Sequence, residues 1–317
     1  DMIAGSPDHA ESNLASEFLI SAERALELRK LAEAERTAPH ALNCGFPELQ
    51  DITRGLRRLC VLGAAPATGK STLCSIWAVN ALKEGHTVVY LSAEEAGFTV
   101  FDRMERAAQG PAAFDTILSN SKLYLMDATN SYGLDVEETD PTSLASLFRS
   151  LTRGNQSVYF FVDSLNAVES LIPLPDERGR LLVAMSRIKS AADVHNVAGG
   201  VVISFLNRKS IQDGRPSMES LYGAQAIAHT ADRVLIAQKA YIKDSQNQGT
   251  DFVNTDYGNN VPLTSHAIRL FLAKNRYGTS GKFATAWLDG KSCTLHSVKS
   301  SDLNDSGIFW GELPASR

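Results

Sequence analysis

Short apolar runs alternate with stretches of helical period through most of the chain, and that alternation predicts its architecture. Six runs read as strands: 59–63, 87–92, 122–127, 157–162, 200–205 and 233–237. Between them, apolar residues three and four apart predict helices over 70–83, 98–108, 141–153, 180–195 and 219–230. Asp140 followed by Pro141 gives the third of these a start, with Asp as the cap and Pro in the first turn. Strands that are apolar along their whole length, rather than at every second position, are buried on both faces. The pattern therefore predicts an α/β fold, a mostly parallel twisted sheet covered by helices on both faces. Residues 267–273 and 282–288 predict two more strands, joined by 274–281. Residues 239–265 are rich in Asp, Asn, Gln and Gly and predict a long surface excursion. There is no internal repeat.

Ahead of the sheet, Leu14, Phe18, Ala22, Ala25, Leu26, Leu28 and Leu31 form an apolar stripe that predicts an amphipathic helix over 14–36. Thr37-Ala38-Pro39 ends it. Such a helix suits packing on its own core or docking on a neighbouring copy. The expected division is a disordered tail (1–13), the helix and its connector (14–44), one α/β domain (45–299) and a C-terminal tail (300–317). The chain has 317 residues, 44% of them hydrophobic, enough for one substantial core. Its formal charge of −5 leaves no bulk nucleic-acid footprint, so any nucleic-acid contact must be local. Cys44, Cys60, Cys74 and Cys293 form no C-x-x-C pair, which argues against a zinc or redox motif and for a reducing compartment. With no signal peptide and no apolar run near the ~20 residues that span a bilayer, a cytoplasmic location is expected.

The most specific chemistry lies between the first strand and the first helix. Ala64-Ala65-Pro66-Ala67-Thr68-Gly69-Lys70-Ser71 reads as a phosphate-binding loop, and strand–loop–helix is the context that pattern needs. Residues Ala65 through Thr72 would wrap phosphates with backbone N–H groups. Lys70 would reach the β- and γ-phosphates, and Ser71 would ligate Mg²⁺. The expected cofactors are ATP and Mg²⁺. Tyr159-Phe160-Phe161-Val162 ends in Asp163, an acid at the carboxyl end of a strand, where ligands gather in open α/β sheets. Asp163 would hold Mg²⁺ together with Ser71. The strand 87–92 runs into Ser92-Ala93-Glu94-Glu95, and either glutamate could activate the attacking water.

Five blocks in order resemble the RecA-like ATPase core of DnaB-type replicative helicases and the related phage primase-helicases, over about residues 45–290. They are Gly45-Phe46-Pro47-Glu48-Leu49-Gln50, Ser92-Ala93-Glu94, Ser204-Phe205-Leu206-Asn207-Arg208, Leu221-Tyr222-Gly223-Ala224-Gln225-Ala226-Ile227 with Ala231-Asp232, and Lys274-Asn275-Arg276-Tyr277-Gly278-Thr279-Ser280-Gly281. The resemblance implies that Glu94 rather than Glu95 is the catalytic glutamate. It implies that Arg276 is an arginine finger and Lys274 its partner, both reaching the nucleotide of a neighbouring subunit. Such fingers contribute ~10³–10⁵ in rate. It also implies a homo-oligomer, a hexameric ring, that translocates on or unwinds DNA in replication and binds single-stranded DNA. The DNA contacts would come from loops 169–180, with Arg178 and Arg180, and 208–216, with Arg208, Lys209 and Arg215. Cations on loops can track a phosphate backbone without sequence preference, and ordinary solvated loops carry the same residues.

Several positions depart from that pattern. Gln50 replaces an Asp, Tyr222 and Ala224 replace an Arg and a Ser, and Phe205 replaces the Gln that senses the γ-phosphate. A phenyl ring has no donor to offer a phosphate. The expected function is therefore a ring motor on DNA, with a nucleotide-dependent regulatory or loader ATPase, partnered by replication or regulatory proteins, as the alternative.

Overall fold

The structure is a computed structural model. It describes residues 42–127, 144–152, 157–169, 174–194, 197–207, 217–242 and 265–297, with Leu26, Ile172 and the short strands 252–254, 260–262 and 308–310. Leu26 apart, these belong to one compact unit that begins at Leu42. The predicted helix 14–36, the Asp140-Pro141 start and the loop 208–216 lie outside the described residues, Leu26 again excepted.

The unit alternates strand and helix. α1 (Pro47–Thr53) leads into β1 (Arg58–Ala64), then α2 (Lys70–Lys83), β2 (Thr87–Ser92), α3 (Gly97–Ala107), α4 (Pro111–Leu118) and β3 (Lys122–Asp127). α5 (Leu144–Thr152), β4 (Val158–Asp163), α6 (Leu165–Glu169), α7 (Glu177–Val194) and β5 (Gly199–Phe205) follow. α8 (Ala224–Thr230) and β6 (Arg233–Ile242) complete the alternating part. With β9 (Ser265–Asn275), β10 (Lys282–Asp289) and β11 (Thr294–Ser297) at one side, the sheet runs β11-β10-β9-β6-β1-β5-β4-β2-β3. From β6 to β3 every pairing is parallel, whereas β9, β10 and β11 pair antiparallel.

All residues of β2 and β4 are buried, and all of β1 but its first, as the unbroken apolar runs require. Alternate side chains feed two cores. Leu62, Ile203, Phe161 and Tyr90 face α1 to α4, with Trp77 fully buried at the centre. Val61, Val202, Phe160 and Val89 face α5 to α8. The Trp77 indole N–H donates to Cys44 O at 2.9 Å, which ties the segment before α1 to α2. All four cysteines are buried and free.

Two departures from the sequence pattern have physical reasons, and two more are additional strands. α1 and α4 were not expected as helices, and each carries Pro in its first turn, where the missing N–H costs nothing. The expected loop 169–180 is helical from Glu177, because Asp176 caps α7 by accepting the Gly179 N–H at 2.7 Å. Within the polar stretch 239–265, β6 continues to Ile242, and β7 (Phe252–Asn254) pairs with β8 (Asn260–Pro262). In the expected C-terminal tail, β12 (Ile308–Trp310) pairs with Ala240–Ile242 of β6.

Packing across β5 is tight at its two glycines, and tightest at Gly200. A Cβ on Gly200 would stand 2.1 Å from the buried Phe160 ring, whereas at Gly290 it would meet nothing within 4 Å. Gly200→Ala is expected to cost about 1–3 kcal/mol in denaturant unfolding. Gly290→Ala should stay within about 0.5 kcal/mol of the parent.

Candidate functional site

Parallel pairing brings the carboxyl ends of β1, β2, β4 and β5 to one edge, and the expected nucleotide residues gather there. The phosphate loop leaves β1 at Ala64 and enters α2 through Gly69, which caps the helix at φ +98°, after Ala67 at φ +59°. Left-handed positions in a loop turn successive N–H groups toward a concavity that suits anions. No side chain caps α2. Thr68 and Lys70 are buried, Ala65, Gly69, Ser71 and Thr72 partly so, and Pro66 and Ala67 are exposed.

Lys70 Nζ donates to Ala64 O at 3.3 Å and Ala65 O at 3.0 Å, and lies 4.6 Å from the centroid of the Phe205 ring. Burial lowers its pKa, and the charges of Asp163 and Glu94 partly restore it. Asp163 is buried at the end of β4, followed by a cis peptide to Ser164. It accepts hydrogen bonds from the Ser71 hydroxyl and, at 3.2 Å, from the Tyr90 hydroxyl. Burial raises the Asp163 pKa above the usual carboxylate value. The Ser71 bond works against that rise, and the charges of Glu94 and Glu95 add to it.

The two glutamates differ in their partners. Glu94 is exposed and accepts a short hydrogen bond from Ser164 Oγ, beside Asp163. Glu95 pairs with Arg103 at 2.7 Å, and its carbonyl accepts from Ser92 Oγ. The strand end thus directs one carboxylate to Ser164 at the end of β4 and binds the other to α3.

Lys274 and Arg276 lie at the other edge of the sheet. β9 runs against β6, so Asn275 pairs with Arg233, which in turn pairs with Cys60 near the start of β1. Ala64, where the phosphate loop begins, is four residues or about 13 Å of strand away. Lys274 Nζ donates to the carbonyls of Ala228 and Ala231, at 2.5 and 2.6 Å. Arg276 donates to His229 O and lies 3.4 Å from the Asp232 carboxylate. Cations on the last carbonyls of α8 also complement its dipole. Asp232 further receives Lys189 at 2.8 Å, the Tyr277 hydroxyl at 3.2 Å and the Leu59 N–H at 3.2 Å. Burial alone would raise its pKa, but these partners outweigh burial and hold it low.

The expected DNA contacts are placed in part. Arg178 is exposed on the first turn of α7 and lines a cleft of about 500 Å³ with Leu181, Met218 and Tyr222. Arg180 pairs with Glu169 at 2.9 Å and donates to Leu174 O. Its guanidinium is thereby committed to holding the α6–α7 connection. Arg208, Lys209 and Arg215 lie outside the described residues.

A family model described as the DnaB-like helicase C terminal domain matches residues 41–293. The chain belongs to that family. The DnaB-like domain has the RecA-like α/β fold, a mostly parallel sheet covered by helices. Among solved structures it is similar to one described as an ATPase domain, with a TM-score of 0.66 at 18% identity, covering 88% of this chain and 99% of that one. It is also similar to a structure of a DnaB-like replicative helicase and its interactions with primase. There the TM-score is 0.64 at 17% identity, covering 94% of this chain and 68% of that one. No curated protein matches the sequence. Among the described residues, no helix of the DnaB-like domain is long and apolar enough to cross a membrane.

Sequence reasoning missed the residues that hold the site together. Ser164 and Tyr90 position Glu94 and Asp163, Arg103 removes Glu95, and Lys189 anchors Asp232. Only Ser164, adjacent to Asp163, left a signal in the sequence. The others come from distant segments that only the fold assembles.

The raised pKa of Asp163 has a testable sign. Its carboxylate is held less well by the folded protein than by the unfolded chain. Asp163→Asn is therefore expected to raise the melting temperature of the nucleotide-free protein at pH 7. The gain should be full above the raised native value, shrink as the pH falls toward the ordinary 3.8, and vanish below it. Melting curves across pH check this, and a pH-independent gain would contradict it.

Proposed function

We propose that this DnaB-like domain is the ATP-hydrolysing motor of a ring, hexameric in the simplest case, that moves along single-stranded DNA or unwinds duplex DNA. Each nucleotide site is shared between two copies. One observation carries the reading. Lys274 and Arg276 stand at the amino edge of the sheet, opposite the phosphate loop, so their cations serve a nucleotide only on a neighbouring chain.

The residues present fit MgATP. The uncapped α2 start, the left-handed loop positions and the buried Lys70 suit phosphates. The Ser71–Asp163 oxygen pair suits Mg²⁺, a hard cation that takes oxygen ligands. When bound, Mg²⁺ would neutralise charge developing on the phosphates. Lys70 would exchange its loop carbonyls for the β- and γ-phosphate oxygens. Glu94, held by Ser164, would orient the attacking water and accept its proton. Arg276 and Lys274 of the adjacent copy would leave the α8 carbonyls and meet the charge that spreads over the γ-phosphate in the transition state. Arg178, with Arg208, Lys209 and Arg215 on the other loop, would face the DNA backbone.

A second reading, a nucleotide-dependent loader or regulator that does not unwind, is favoured by Phe205. A ring at that position carries no hydrogen-bond donor from the γ-phosphate to the adjoining loop. Turnover with and without single-stranded DNA separates the two. Strong stimulation supports the motor, and unchanged turnover supports the loader.

Lys70→Ala is expected to abolish nucleotide binding or hydrolysis, and unchanged ATPase would sink the proposal. Arg276→Ala should bind MgATP nearly as the parent does while losing ~10³-fold or more in turnover. Mixing the two inactive variants should restore part of the activity, because some junctions pair an intact loop with an intact finger. No recovery on mixing, with mixed oligomers formed, would argue against a shared site.

A further inference from the structure

Phe205 ends β5 beside the phosphate loop, in register with Ala64 of β1. Its ring lies 4.6 Å from Lys70 Nζ, within the range at which an aromatic face attracts a cation. Lys70 is only 7% exposed, so little water competes for it. The backbone under the ring is fixed. The Phe205 N–H donates to Asn166 Oδ1 at 3.4 Å, and its carbonyl accepts the Tyr222 N–H at 2.9 Å. The ring is therefore presented to the loop from a held backbone position next to the approach to α8. An ammonium has three protons and one position. It cannot keep two loop carbonyls and an aromatic face while also serving two phosphate groups.

We propose that the Phe205 ring competes with the nucleotide's phosphates for Lys70, and so sets the nucleotide affinity as a positioning residue. This rests on the reading that the loop binds a nucleoside triphosphate. A phenyl ring offers a phosphate oxygen no hydrogen bond, so its influence on the nucleotide runs through Lys70. The ring stabilises the nucleotide-free arrangement, in which the lysine folds back over its own loop. Binding then includes the loss of that contact.

The test is titration calorimetry with MgADP on the full chain. Phe205→Leu keeps an apolar side chain and removes the aromatic face, and it is expected to bind MgADP about 3- to 30-fold more tightly. Phe205→Tyr keeps the face and should stay within about twofold of the parent. A merely structural role would not separate the two in this direction. A second readout is NMR of the side-chain CεH2 groups in protein carrying 13C-labelled lysine. The Lys70 signal should be shifted upfield by the ring in the parent and in Phe205→Tyr, move back on adding MgADP, and be unshifted in Phe205→Leu. Phe205→Met replaces the leucine variant if that one melts much lower than the parent. Equal or weaker MgADP binding by the leucine or methionine variant, or the same gain in Phe205→Tyr, overturns the proposal. A parent chain that binds no MgADP overturns the nucleotide-loop reading instead.

Discussion

The parallel pairing of β1 with β5 on one side and β6 on the other is the constraint on which the site depends. Parallel strands end at the same edge. Whatever follows β1, β2, β4 and β5 is therefore delivered to one place: the phosphate loop, Glu94, Asp163 and Phe205. None of these residues is close to another in sequence. The strands that carry them are almost wholly buried, so their register is held by two cores rather than by the site's own polar contacts. That division lets the site keep a buried carboxylate, a buried lysine and a left-handed loop, none of which stabilises the fold by itself.

The reversal of direction at β9 has the opposite effect. Because β9 runs against β6, the hairpin that carries Lys274 and Arg276 turns at the amino edge, beside Asp232. In the single chain its cations rest on the last carbonyls of α8. The other end of α8 begins at Gly223, directly after the Tyr222 N–H that holds Phe205. One short helix thus stands between the nucleotide loop of its own chain and the cations that the proposed function assigns to the next. Lys274 and Arg276 are then not idle while unengaged. They replace the caps that α8 would otherwise lack, and Asp232 balances their charge.

Much of this was legible in the sequence because it rests on local signals. The loop Ala64–Ser71 has a fixed spacing, unbroken apolar runs mark strands buried on both faces, and the five ordered blocks carry the family. Most of the site's partners were not legible, since Tyr90, Arg103 and Lys189 act on residues that the fold alone brings near. Helix starts failed where the signal was a single residue. Pro47, Pro111 and the Asp176 cap each begin a helix within a stretch that read as loop. Arg180 illustrates a different limit: a cation in a candidate DNA loop looks the same whether it is free or, as here, paired with a buried Glu169. Sequence gives charge but not commitment.

The central claim is that hydrolysis needs two chains. ATP turnover per chain, measured as a function of protein concentration alongside oligomer mass, tests it most directly. Specific turnover is expected to rise steeply with concentration and follow oligomer formation, falling to near zero for the isolated chain. A constant turnover per chain down to concentrations at which the protein is monomeric would contradict it.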